Sequence, residues 1–117
     1  METEDFDTAY GDLQEFLVEN KDDRRLPTAL FMIGICESSM GFEDECVVRM
    51  TALANDYPKE AVAPQALSWL GRFYLSRQEY QAAYDSFVEL SQRYPESTYA
   101  AAAKEYMDAL DSAMSRR

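Results

Sequence analysis

The sequence contains no histidine. That excludes every His-dependent triad, every imidazole metal ligand and the simplest proton shuttle at neutral pH. Cysteine is nearly as scarce, with Cys36 and Cys46 the only two. They are too few for a structural zinc site without two more ligands and too far apart for a CxxC motif. Both stand among apolar neighbours, where a thiol usually serves as a small hydrophobe. The four glycines, Gly11, Gly34, Gly41 and Gly71, form no phosphate-binding loop. No apolar run approaches the ~20 residues of a membrane span. Positive charge is short as well: 11 Lys plus Arg stand against 22 Asp plus Glu, a formal charge of −11. Such a surface repels nucleic-acid phosphates and anionic lipid, so neither nucleic-acid binding nor membrane insertion is expected. Arg116-Arg117 is too small a patch to change this. Carboxylate pairs such as Glu43 with Asp44, or Asp108 with Asp111, read as helix-surface acids rather than an acid–base pair. With no nucleophile–base or metal set, neither an enzyme nor a cofactor is expected.

What the sequence does hold is enough for one soluble domain over 1–117: 117 residues, 47% hydrophobic and 28% charged. The charge is uneven. Residues 1–23 carry nine acids against one base, Lys21, a local balance of −8 that leaves −3 for the rest. Such a cluster reads either as a docking face for a basic partner or as acids (Glu2, Glu4, Asp5, Asp7) placed at the positive end of a first helix. The opening Met-Glu-Thr-Glu-Asp has neither the basic nor the apolar region of a secretory signal. A cytoplasmic location is expected on that basis. A chain from which an export signal had been removed would instead be periplasmic.

A repeat of 37 residues decides the expected fold. That shift relates Pro27 to Pro64, Leu30 to Leu67, Ile33 to Leu70, Gly34 to Gly71, Leu53 to Leu90, Tyr57 to Tyr94 and Pro58 to Pro95. One shift earlier, Ala9, Leu13 and Phe16 fall in line with Cys46, Met50 and Leu53. Apolar residues recur at three- and four-residue steps, as in Leu67, Leu70, Phe73 and Tyr74, the stripe of an amphipathic helix. The pattern predicts helices over 4–20, 26–40, 43–56, 62–77, 80–94 and 98–114. Pro58 and Pro95 close the helices before them, Pro27 and Pro64 open the next, Ser97 is placed to cap the last, and Gly41 marks a turn. Gly34 and Gly71 are expected to let paired helices approach over Cys46 and Ala83. The methionines, Met32, Met40, Met50, Met107 and Met114, read as core filler. The column Met32, Trp69 and Tyr106 reads as large apolar packing. Lys104 and Asp108 stand where Leu67 and Gly71 stand one repeat earlier, so 98–114 should be a capping helix with one wet face.

With this register, residues 64–97 resemble a tetratricopeptide repeat, the helix–turn–helix unit of ~34 residues. Leu67, Leu70-Gly71, Tyr74, Ala83, Phe87 and Pro95 carry the resemblance, with Leu67 in place of the usual Trp. Residues 27–60 match through Leu30, Ile33-Gly34, Cys46, Met50, Leu53 and Pro58, with Glu37 where an aromatic is usual. The segments Asp56-Tyr57-Pro58, Ala66 to Gly71 and Tyr94 to Ala100 are similar to bacterial cell-envelope members of this class. Those are the outer-membrane assembly lipoproteins and the Tol–Pal accessory protein, although Lys59-Glu60 follows Tyr-Pro where Ser is usual. The resemblance implies an all-α, right-handed tetratricopeptide-type solenoid of about six helices: a partial first unit (4–20), two repeats (27–60 and 64–97) and a capping helix (98–114).

It also implies a concave groove that takes another protein's helix or extended peptide. By register the groove would comprise Thr28, Phe31, Ile35, Ser38 and Ser39, then Gln65, Ser68, Arg72, Leu75 and Ser76, then Ala102, Glu105 and Ala109. Phe31, Ile35 and Leu75 would form an apolar strip with a polar rim, unless the first helix or tighter closure covers them as core. Arg72 alone is no clamp for an acidic C-terminus. The expected function is a non-catalytic adaptor or scaffold. The alternative is self-assembly into a homo-oligomer through the acidic first helix.

Overall fold

The computed structural model describes residues 8, 10–12, 14–15 and 24–115. Among these the chain is all-helical, with no strand. Helix α1 runs Leu26–Ser39, α2 Glu43–Asp56, α3 Val62–Ser76, α4 Tyr80–Arg93 and α5 Thr98–Ser115. Residues 8, 10–12, 14 and 15 are helical too, inside the segment expected over 4–20. Glu2, Glu4, Asp5, Asp7 and Lys21, on which the reading of the acidic segment turned, lie outside the described residues, as do Ala9, Leu13, Phe16 and Arg116-Arg117. Among the described residues no helix is long and apolar enough to cross a membrane. The chain divides into two compact units, residues 1–62 and 63–117.

In the first unit α1 and α2 form a hairpin. Gly34 lies against Met50 and Glu37 bonds Arg49, so one residue number rises as the other falls, which marks the helices as antiparallel. Pro27 sits in the first turn of α1, where its missing N–H costs nothing. The turn out of α1 is a Schellman motif: the Phe42 N–H donates to the Glu37 carbonyl and the Gly41 N–H to the Ser38 carbonyl. Gly41 has φ +90°, a conformation in which a side chain is strained. Ala29, Ile33, Cys36, Cys46, Met50, Leu53, Ala54 and Val62 are buried.

The second unit repeats the device. The Glu79 N–H donates to the Tyr74 carbonyl and the Gln78 N–H to the Leu75 carbonyl, each bond 37 residues on from its counterpart. Here Gln78, not glycine, takes the positive φ, at 61°. Helix ends recur as well: Tyr57 and Tyr94 close α2 and α4 by donating to the Leu53 and Leu90 carbonyls, and Pro58 and Pro95 follow. Ser97 caps α5, its Oγ accepting from the Tyr99 N–H at 3.1 Å. Ala66, Leu67, Leu70, Ala83, Phe87, Leu90, Ala100, Ala103 and Leu110 are buried. Helix α5 packs on α4, with Phe87 stacked on Tyr106 at a centroid distance of 4.8 Å. Its other face, with Lys104, Glu105 and Asp108, is exposed.

Two packing expectations are corrected. Gly34 and Gly71 make room for large side chains rather than for Cys46 and Ala83. A Cβ on Gly34 would lie 2.8 Å from the Met50 Cε, and one on Gly71 2.5 Å from the Phe87 ring. The Met32, Trp69 and Tyr106 column is not uniform packing either. Met32 is 50% exposed, Trp69 stacks on Phe73 one turn along its own helix at 5.1 Å, and Tyr106 stacks on Phe87. Met50 is fully buried, so the core role assigned to the methionines holds for Met50 and fails for Met32.

Candidate functional site

The residues assigned to a groove fall in different surroundings. In the first unit Thr28 is exposed, and Phe31, Ile35 and Ser38 are half-buried along α1. In the second, Arg72 and Glu105 are exposed and Leu75 is half-buried. Gln65 is half-buried, and its amide donates to the Tyr99 hydroxyl on α5 at 3.1 Å. Ser68 is only 5% exposed, so its side chain has no surface to offer a partner. The Arg72 Nε–H reaches back to the Ser68 carbonyl of its own helix at 3.4 Å.

A second site, in the first unit, was not anticipated. An open cleft of about 740 Å³ lies between Tyr10 and the α1–α2 hairpin. At its base Glu37, 2% exposed, accepts two parallel bonds from Arg49. The Nε–H bonds Oε1 at 2.9 Å and the Nη2–H bonds Oε2 at 3.0 Å, the strong bidentate form of this pair. The Tyr10 hydroxyl donates to the same Oε2 at 3.2 Å. These partners let a carboxylate stand where the second unit has Tyr74, because an unpaired charge there would be prohibitively costly. The side chain of Arg49 is 27% exposed and turns toward the cleft. Donating to the Glu37 carboxylate makes the Arg49 guanidinium hold its proton more tightly than usual. Tyr10 is pushed upward too, by burial first and then by the Glu37 charge.

Leu30, Val48, Ala52 and Leu53 make the cleft mostly apolar, and Asp44, Glu45 and Asp56 stand around it. Val48 is 70% exposed, although it lies on a core-forming hairpin. The signal for this site was present in Glu37, an acid at a core position with Arg49 twelve residues on. Only the structure shows that the two meet.

Both cysteines are buried and free. Burial, reinforced by the Glu37 charge, pushes the Cys46 thiol up to about 12 and raises Cys36 as well. Neither is an available nucleophile at neutral pH. Among the described residues no group of three or more Cys, Asp or Glu is placed to hold a metal ion. No protein-family model matches the chain and no curated protein matches it in sequence.

Proposed function

We propose that the chain is a short tetratricopeptide-type helical repeat and a non-catalytic adaptor that binds a helix or extended segment of another protein. The observation that carries this reading is a duplication in three dimensions. Turn hydrogen bonds, helix ends and the glycine against a large side chain all recur at 37 residues. Helical repeat proteins serve to present surface rather than to house chemistry. Within each unit apolar surface stays accessible, at Phe31 and Ile35 between Thr28 and Ser38 along α1 of the first and at Leu75 in the second, where Arg72 and Glu105 are exposed. The test is affinity capture with cross-linking, comparing wild type with Phe31→Glu, Leu75→Glu, after circular dichroism has shown that both fold. Loss of a partner only in the double variant supports the groove. Retention of every partner removes it.

Self-association is the second reading. Met32, Phe42 and Val48 favour it, as the large hydrophobic residues that among the described residues stand exposed, at 50%, 48% and 70%. A charge of −11 per copy opposes it at low salt, so added salt should promote the oligomer. A single monomer mass at every protein and salt concentration ends this reading.

A further inference from the structure

The two units can be compared position by position along the outer faces of α2 and α4. On α4 that face carries Asp85, Glu89 and Arg93, and it satisfies itself. Gln81 donates to Asp85 at 2.9 Å, and Arg93 pairs with Glu89 one turn away. This is an ordinary solvated helix face. The same positions on α2, 37 residues earlier, hold Val48, Ala52 and Asp56. Two charged residues have become aliphatic and the third has changed sign. All three line the cleft.

The charges of the cleft do not cancel. Among the described residues Arg49 is the only base in its lining and is committed to Glu37, which leaves Asp44, Glu45 and Asp56 in excess. Among the described residues Asp44 and Asp56 join no ion pair. The helix dipole accounts for Asp44 and Glu45, which lie in the first turn of α2. It does not account for Asp56. That residue is the last of α2, at the negative end, in a final turn without a base, where an acid is unfavourable.

We infer that the outer face of α2 and its cleft form the docking site for a cationic amphipathic helix of a partner protein, with aliphatic side chains on Val48 and Ala52 and Lys or Arg side chains against Asp44, Glu45 and Asp56. An open, apolar trough with a charged rim suits a helix laid along it with its far side in water. A second copy of this strongly acidic chain would be repelled from the same rim. The inference takes from the proposed function only that the chain binds protein. It moves the contact from the α1 strip to the cleft.

The test is fluorescence anisotropy with the full chain and labelled, amidated helical peptides of about four turns. One peptide has a Leu stripe on a Lys background, a second the same stripe on a Glu background, and a third Lys with Ala in place of Leu. The Leu/Lys peptide should bind saturably, more weakly as salt rises, and in preference to both others. Val48→Lys should weaken it by on the order of tenfold or more through lost apolar contact and new repulsion. Because Val48 is 70% exposed, the fold should survive. Asp56→Arg, the residue type of the second unit, should weaken the Leu/Lys peptide and improve the Leu/Glu one. Absence of saturable Leu/Lys binding, equal binding of the Leu/Lys and Leu/Glu peptides, or indifference to both substitutions overturns the inference. Binding abolished by Phe31→Glu, Leu75→Glu but untouched at Val48 and Asp56 overturns it while leaving the groove standing. The reverse pattern supports the cleft and removes the groove.

Discussion

The α1–α2 hairpin of the first unit and the α3–α4 hairpin of the second follow one backbone plan with different side-chain solutions. At the position next to the turn the first unit buries Glu37 with Arg49 and Tyr10. The second places Tyr74 there, edge-on to Phe73 at 5.7 Å. Opposite the conserved-in-register glycine the first has the flexible Met50, the second the flat Phe87 ring. Outside, α4 pairs Glu89 with Arg93 and gives Asp85 a hydrogen bond from Gln81, while among the described residues Asp44 and Asp56 of α2 join no ion pair. The difference separates two jobs. Backbone hydrogen bonds and glycine spacing build a hairpin in either unit, whereas the outer face is free to vary, and only in the first unit has it become apolar and acid-rimmed.

Exchanging residues between the units tests how independent those solutions are. The largest effect should follow Arg49→Ser, which installs the counterpart Ser86 and leaves the Glu37 carboxylate buried without a cation. A loss of about 3 kcal/mol is expected, at the lower end for a broken buried pair because Tyr10 still donates and Arg49 is partly exposed. Ser86→Ala should cost less than about 0.5 kcal/mol. Urea unfolding followed by circular dichroism would show both, and a loss under about 1 kcal/mol for Arg49→Ser would mean that the pair is marginal.

Next in size is the contrast between the glycines. Gly71→Ala forces a methyl group into the buried Phe87 ring, at about 1–3 kcal/mol. Gly34→Ala meets only the end of Met50, which can swing aside, and gains about 1 kcal/mol of helix propensity. It should be neutral or stabilising. Equal effects of the two substitutions would show that the ring and the thioether yield alike. Smaller again is Gln78→Gly, which relieves the positive φ that Gly41 already accommodates in the first unit. The expected gain is about 0.5–1 kcal/mol, and a loss would mean that the Gln78 side chain holds the turn.

The smallest effect is none. With Cys46 pushed up to about 12 and Cys36 raised, thiolate is negligible in mildly alkaline buffer. Native protein should therefore take no iodoacetamide under conditions where urea-unfolded protein takes two equivalents by mass spectrometry. Rapid native alkylation would show that the first hairpin opens readily.

Much of the fold was legible because its determinants are local. Prolines at helix starts and just past helix ends, the apolar stripe and Ser97 each act within a turn of where they stand, and the expected boundaries of the five helices from α1 to α5 match to within a residue. Contacts across a hairpin were less legible. Small residues suggested that Cys46 and Ala83 would face the glycines, but helix side chains reach along the axis, so Met50 and Phe87 fill that space. Burial of Ser68 was missed for a similar reason, since register places a residue on a helix without showing what covers it. The cleft was hidden in Glu37, whose substitution for an aromatic shows in the sequence while its partners Arg49 and Tyr10 do not. Val48 and Asp56 gain meaning only beside Asp85 and Arg93.

The most direct test of the claim that the cleft of the first unit, and not the α1 strip, carries the contact is methyl and amide NMR mapping of the Leu/Lys peptide on the full chain. Shifts should concentrate on Leu30, Val48, Ala52 and Leu53, with Leu67, Leu90 and Leu110 unmoved. Shifts centred on Phe31, Ile35 and Leu75, or on α4 and α5, would contradict it.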